Sequence, residues 1–293
     1  MKVVRSKVIG YCFGVSNTIE KADLCIEKAR DENLPCYSIG QIIHNKDVVR
    51  HFTDLGMKVT EWCEGFEPGV ALIRAHGIPD SLRRSYQEAG FILIDSTCPI
   101  VAKGASALRK AAQSGKKTII IGVKGHAETI GLQGVETPEG PVDSMLICSM
   151  EDAQRLVYEG VYSENDEIVV VVQTTFPEKE FNSIRRYLKT YFKNIRFSTT
   201  PCGATSSRIR AAKELAEQCD AVFVIGGRNS ENTKDLARAL DETGKPVFCI
   251  ENQKDLDQDL LEKVSGFSTI GICSGSSTPT SIIRAVEDIL EKL

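Results

Sequence analysis

The chain is short of several things, and each shortage narrows its function. No apolar run approaches the ~20 residues that a membrane-spanning helix requires, so no membrane segment is expected. There is no basic excess: 36 Lys and Arg stand against 40 Asp and Glu, a net charge of −4. That balance argues against nucleic acid as the main partner. The opening Met1-Lys2-Val3-Val4-Arg5-Ser6-Lys7 runs into Tyr11-Cys12-Phe13-Gly14 without the apolar stretch of a secretory leader. A cytoplasmic protein is the expectation. No GxGxxG and no flavin motif is present, so any redox chemistry must draw its electrons from outside the chain. No Cys-x-x-Cys pair exists either, which removes the short ladders of disulfide-rich domains and of compact zinc sites.

What is present in quantity is cysteine, ten in 293 residues. Cys36, Cys148, Cys249 and Cys273 lie inside apolar runs, and Cys25 and Cys219 in helical patterns; all six read as small buried hydrophobes. Cys63 sits in a polar stretch with no evident role. Cys12, Cys98 and Cys202 differ, because each stands immediately before a helical pattern. "DSTCPIV" at 95–101 shows the arrangement: an apolar strand, a turn, a thiol, then a helix whose free N–H groups favour thiolate.

The positions 3, 7, 10 and 14 residues beyond these cysteines carry Val15, Ile19, Ala22 and Ile26; Val101, Ala105, Leu108 and Ala112; Thr205, Ile209, Ala212 and Ala216. One helical face is thus repeated three times. A strand follows each helix (35–40, 117–122, 221–226), ending beside a polar residue at another helix start: His44, His126 and Asn229, spaced 32, 28 and 27 residues from their cysteines. A further strand follows (70–74, 168–173, 269–273). It ends in "HGIP", "TTFP" or "SSTP", whose proline suits a first helical turn. His76, Thr174 and Ser277 lie in these turns.

The chain therefore reads as an α/β protein of three pseudo-equivalent units, 1–96, 97–199 and 200–293. Alternating strands and helices predict mainly parallel sheets. In such sheets ligands bind beyond the carboxyl ends of the strands, where every residue singled out above lies. Packing about a pseudo-threefold axis would bring the three cysteines to one point. Three thiolates without a fourth suit either a zinc ion completed by water or an iron–sulfur cluster with one open iron; spacing leaves both open.

His44, His76, His126, Asn229, Ser277 and Thr205 are donors at helix starts, where anions and above all phosphate are favoured. His51 falls inside a helical pattern and reads as structural. Glu128, two residues after His126, is a candidate proton carrier if its surroundings raise its pKa; a helix-start carboxylate is the plainer reading. Thr174 and Thr175 either orient a substrate hydroxyl or cap a helix.

Taken together, "GYCFGV" (10–15), "IHN" (43–45), "RAHG" (74–77), "DSTCPIVAK" (95–103), "GHAET" (125–129), "QTTF" (173–176), "PCGATSSR" (201–208), "GGRNSENT" (226–233) and "SGSSTP" (274–279) resemble the 4-hydroxy-3-methylbut-2-enyl diphosphate reductase family, the last enzymes of the methylerythritol phosphate route to isoprenoids. The resemblance runs in order from Cys12 to Pro279. It implies a trefoil of three α/β units around a central 4Fe-4S cluster held by Cys12, Cys98 and Cys202, with one iron open to the substrate. It implies that His44, His76, His126, Asn229 and Ser277 hold the diphosphate and that Glu128 donates a proton, with Thr174 and His126 beside it. Thr205 and Ser230 lie in matching motifs and are expected to line the pocket. Reduced ferredoxin or flavodoxin is the implied electron donor. One departure stands out: Gly227 replaces a serine that contacts diphosphate in some members. A zinc-dependent phosphate-ester hydrolase and a non-catalytic cluster-bearing sensor are the alternative readings.

Overall fold

A computed structural model describes residues 1–293. In chain order the elements are β1 (Lys2–Arg5), α1 (Phe13–Asp31), β2 (Cys36–Ile39), α2 (Lys46–Asp54), β3 (Met57–Thr60), β4 (Val70–Ile73), α3 (Asp80–Glu88), β5 (Ile92–Asp95), α4 (Pro99–Gln113), β6 (Lys117–Ile121) and α5 (Ala127–Gln133). A small antiparallel pair, β7 (Glu136–Thr137) and β8 (Gly140–Pro141), precedes β9 (Ser144–Ile147), α6 (Met150–Tyr158), β10 (Glu167–Val172), α7 (Glu178–Tyr191) and β11 (Asn194–Phe197). The last stretch holds α8 (Gly203–Ala216), β12 (Ala221–Ile225), α9 (Glu231–Asp241), β13 (Val247–Ile250), α10 (Gln258–Val264), β14 (Thr269–Ser274) and α11 (Thr280–Leu290).

Twelve of the strands form three parallel sheets of four, in the orders β3-β2-β4-β5, β9-β6-β10-β11 and β13-β12-β14-β1. The three orders are one order. In each, the strand after a cysteine-led helix (β2, β6, β12) lies inside the sheet, its successor forms an edge, and the third strand pairs on the other side. The fourth strand runs into a cysteine: β5 into Cys98, β11 into Cys202, β1 into Cys12. The threefold repeat is therefore physical. Its bounds differ from the division at 1–96, because β1 pairs with β14, Lys2 opposite Thr269 through Arg5 opposite Ile272. The third sheet needs a fourth strand, and residues 2–5 supply it from the far end of the chain.

Tertiary packing divides the chain into two compact units. The first comprises Met1–Ser16, Ile43–Asp54 and Gly203–Leu293, with the β13-β12-β14-β1 sheet. The central strand β12 reads Ala-Val-Phe-Val-Ile, apolar throughout, because helices cover both faces. Phe223 and Ile225 pack with Ile282, Ile283 and Val286 of α11. Val222 and Val224 point the other way, against Ala212 and Ala216 of α8 and Leu236 and Leu240 of α9. Each such side chain contributes about 1.5–3 kcal/mol by leaving water.

The second unit comprises Asn17–Ile42 and Leu55–Cys202 and holds the other two sheets. In β10, Ile168, Val170 and Val172 face Phe181, Ile184 and Leu188 of α7, while Val171 faces Leu108 of α4 and Leu132 of α5. Cys63 is buried among Tyr37, Tyr86 and Phe91. Cys25, Cys36, Cys219 and Cys273 are buried as expected, whereas Cys148 is half-buried and Cys249 exposed. β13 is an edge strand, and Cys249 is its one exposed residue.

Gly40, Gly122 and Gly226 end the equivalent strands β2, β6 and β12. A Cβ there would stand 2.5 Å from the Arg74 guanidinium, 2.6 Å from the Thr129 hydroxyl and 2.5 Å from the Thr233 hydroxyl. Glycine at these strand ends is what lets the neighbouring side chain cross over them, at the edge where the site residues lie.

Candidate functional site

In the second unit the site grows from the ends of β4, β6, β10 and β5. Cys98 is the N-cap of α4, with Pro99 at the first helical position, where its missing N–H needs no partner. The Cys98 N–H donates to the Ala75 carbonyl at 2.9 Å. The Cys202 N–H donates to the Thr174 carbonyl at 2.7 Å. In the first unit the Cys12 N–H donates to the Ser276 carbonyl at 3.2 Å. Each cysteine is thus pinned to the loop that follows the third strand of its sheet. All three are reduced and half-buried.

Glu128 lies in the first turn of α5 and is 1% exposed. One carboxylate oxygen accepts the Thr174 N–H at 2.7 Å and the other accepts the Thr174 hydroxyl at 2.6 Å. Burial pushes the Glu128 pKa up to about 7, against the two Thr174 bonds, which favour the ionised form. Burial outweighs them, so Glu128 holds a proton in the neutral range. Thr174 therefore joins the carboxyl to the backbone of Cys202.

His126 caps α5, its Nδ1 accepting the Glu128 N–H at 3.1 Å. That bond commits Nδ1 as an acceptor and leaves Nε2 to carry the ring proton of the neutral imidazole. His76 stands edge-to-face with His126, their ring centres 5.4 Å apart. A cavity of about 420 Å³ runs from His76 along α4 past Asp80, Asp95 and Thr97. Its charges are already matched, Arg83 to Asp95 and Arg109 to Asp80, each at 2.6 Å.

In the first unit, the Ser277 hydroxyl donates to the His44 carbonyl at 3.3 Å. The Thr205 hydroxyl donates to the Asn232 side-chain oxygen at 3.0 Å, and the Asn232 amide donates to the Ser276 hydroxyl at 2.8 Å. Ser230, 2% exposed, is the N-cap of α9, and its N–H donates to the Gly227 carbonyl at 3.0 Å. Asn229 is exposed and His44 half-buried. A Cβ on Gly227 would lie 2.3 Å from the His44 carbonyl oxygen.

The structure thus brings Glu128, Thr174, His126, His76, Cys98 and Cys202 to the strand ends of one unit, and Cys12, His44, Thr205, Asn229, Ser230 and Ser277 to those of the other. Thr175 turns aside, its hydroxyl accepting from the Gln173 amide at 2.7 Å. His51 is exposed on α2. Asn232, Ser276 and Arg208 escape a reading of the sequence, though all three lie inside or beside the quoted motifs. Their partners are carbonyls, the Thr205 hydroxyl and one another, which composition does not display.

The class is that of a repeated parallel α/β protein with thiols and proton-carrying side chains at the strand ends. The LytB protein family model matches residues 3–291, and the chain belongs to that family. The 4-hydroxy-3-methylbut-2-enyl diphosphate reductase of Treponema denticola is 34% identical over 293 residues, covering 98% of each chain. That of Solidesulfovibrio magneticus is 33% identical, covering 99% of each. Among solved structures, (E)-4-hydroxy-3-methyl-but-2-enyl diphosphate reductase, described as the terminal enzyme of the non-mevalonate pathway, superposes over 100% of both chains, with TM-score 0.76 and 29% identity. The E-1-hydroxy-2-methyl-but-2-enyl-4-diphosphate reductase from Plasmodium falciparum gives TM-score 0.86 at 26% identity, over 99% of this chain and 87% of its own. The chain is an oxidoreductase of this family. No helix is long and apolar enough to cross a membrane.

Proposed function

We propose that the chain reduces (E)-4-hydroxy-3-methylbut-2-enyl diphosphate to isopentenyl and dimethylallyl diphosphate. The observation that carries this reading is Thr174: its N–H and hydroxyl hold the protonated Glu128, and its carbonyl holds Cys202. A proton source and a metal-binding thiol are thus built on one residue. The overall change replaces the allylic C–OH by C–H, taking up two electrons and two protons and releasing water.

No three side chains from His, Cys, Asp and Glu are already gathered into a metal-holding group. The donor chemistry nevertheless fits a cluster: three reduced, half-buried cysteines at equivalent places, each with its backbone pinned by a neighbouring carbonyl. Soft thiolates select iron–sulfur centres. Cys12, Cys98 and Cys202 would hold a 4Fe-4S cluster, which when bound supplies the electrons and a Lewis-acidic iron.

The protein's own groups do the rest. His44, His76, His126, Asn229, Ser230 and Ser277 bind the diphosphate, with Thr205 at its edge. The diphosphate is held by donors and helix starts, which suit phosphate oxygens. Glu128, kept protonated by burial, delivers a proton to the departing hydroxyl, with the Thr174 hydroxyl aligning both. Reduced ferredoxin or flavodoxin supplies electrons, and the protein acts in the cytoplasm.

The test is anaerobic purification followed by iron and sulfide quantification and assay of the allylic diphosphate with reduced viologen. A brown protein that turns the substrate over supports the reading. A colourless zinc protein would overturn it, and a brown protein without turnover would leave a sensor.

A further inference from the structure

Arg208 of α8 is 4% exposed, and no carboxylate pairs with it. Its guanidinium donates only to backbone: to the Gly10 carbonyl at 2.9 Å, the Ser274 carbonyl at 2.9 Å and, at the limit, the Val8 carbonyl at 3.5 Å. A buried guanidinium held by neutral carbonyls keeps a full charge without a counter-ion, which is costly in a dry interior. Such a charge is retained where something negative completes it.

The ionisable groups that act on Arg208 are thiols, Cys12 and Cys273. Cys273 is wholly buried, and burial pushes its thiol well up, so it stays neutral. Cys12 is half-buried, and its sulfur is one of the three that the cluster would take as ligands.

The carbonyls are placed with equal economy. Gly10 lies two residues before Cys12, and Ser274 two residues before Ser276, whose carbonyl accepts the Cys12 N–H at 3.2 Å. The Ser274 hydroxyl in turn accepts the Gly10 N–H at 2.9 Å. Gly10 has φ +79°, a left-handed turn that glycine takes without strain. Arg208 thus grips both strands of the loop that presents Cys12.

We propose that Arg208 is a positioning residue for Cys12, clamping the Val8–Cys12 segment to the end of β14 and setting a fixed positive charge beside the thiolate that the cluster would use. This rests on the cluster reading above. A permanent positive charge near a cluster stabilises its reduced form and raises its reduction potential. Lysine keeps the charge but not the two-headed fork; methionine keeps neither.

The experiment compares the wild type with R208K and R208M, each the full chain purified without oxygen. Two quantities are read: the midpoint potential of the cluster by redox titration, and hydrogen exchange across residues 8–12. R208M is expected to show a potential more negative by a tenfold change in the one-electron equilibrium, about 59 mV, and at least tenfold faster exchange. R208K is expected to keep the wild-type potential while losing part of the exchange protection. R208M with wild-type potential and protection overturns the proposal. So does R208K shifting the potential as far as R208M, since lost packing would then be the cause. Should R208M not fold, R208K decides alone: an unchanged potential with weaker protection supports the proposal, and a tenfold shift overturns it. A wild type without a cluster would instead refute the cluster reading, and exchange at residues 8–12 would then decide the clamp.

Discussion

The carbonyl oxygen of His44 occupies the space that a side chain at Gly227 would need: an added Cβ would come within 2.3 Å of it. The His44 segment passes over the end of β12 only because position 227 is bare. Gly227→Ser is therefore expected to push His44 outward, not to restore a diphosphate contact. Overpacking of this kind costs about 1–3 kcal/mol, and the Michaelis constant should rise together with the loss of stability. Thermal unfolding and substrate titration of the variant check this; a tighter Michaelis constant with unchanged stability would contradict it.

Turnover should fall as pH rises through about 7, where Glu128 loses its proton. Glu128→Gln removes that dependence and lowers turnover by about 10²-fold or more while leaving iron content unchanged. The rate–pH profile reads both. Stability follows the same sign. Because the folded pKa lies above the ordinary 4.5, the contribution is full below about 4.5 and is lost as pH rises through about 7. Denaturant unfolding at pH 5 and pH 8 should show a gap between these two pH values that Glu128→Gln narrows.

Thr174→Val deletes the hydroxyl that favours the ionised carboxylate. The alkaline limb of the profile should move upward in pH, because burial is then opposed only by the Thr174 N–H bond, which valine keeps. Thr174→Ser should return the limb to its original place. A downward move in the valine variant would mean that the hydroxyl bonds the protonated form instead.

Cys12→Ser, Cys98→Ser and Cys202→Ser should each lose most iron and sulfide while folding normally, since each sulfur is half-buried and each backbone N–H bond survives the change. Cys63→Ser should do the reverse: full iron, but lower stability by about 1–3 kcal/mol, because a hydroxyl would enter the apolar cluster around Tyr37 and Phe91. Metal analysis alongside thermal melts separates the two behaviours.

Much of this was legible in the residues alone. β2, β6, β12 and the third strands β4, β10 and β14 announce themselves as apolar runs because helices cover both their faces. β3 does not, being a short edge strand; Met57-Lys58-Val59-Thr60 holds only two apolar residues. The three prolines at 79, 177 and 279 mark helix starts correctly but sit at the N-cap, one residue earlier than a first-turn position. In the site, Glu128 was visible because histidine and carboxylate share one turn. Its tie to Thr174, 46 residues on, was implied only by the family resemblance. Arg208 was invisible, since nothing in "SSRIR" shows that its partners are carbonyls nearly 200 and 66 residues away.

The pairing of β1 with β14 has a bearing on biosynthesis. Lys2 and its neighbour Thr269 lie 267 positions apart, so the ribosome delivers β1 well before the strand it pairs with. Until β14 is made, β1 has no partner, and the loop that carries Cys12 cannot close on Ser276. The Cys12 loop is in this sense completed late by topology, because closing it waits for the strand farthest along the sheet's sequence.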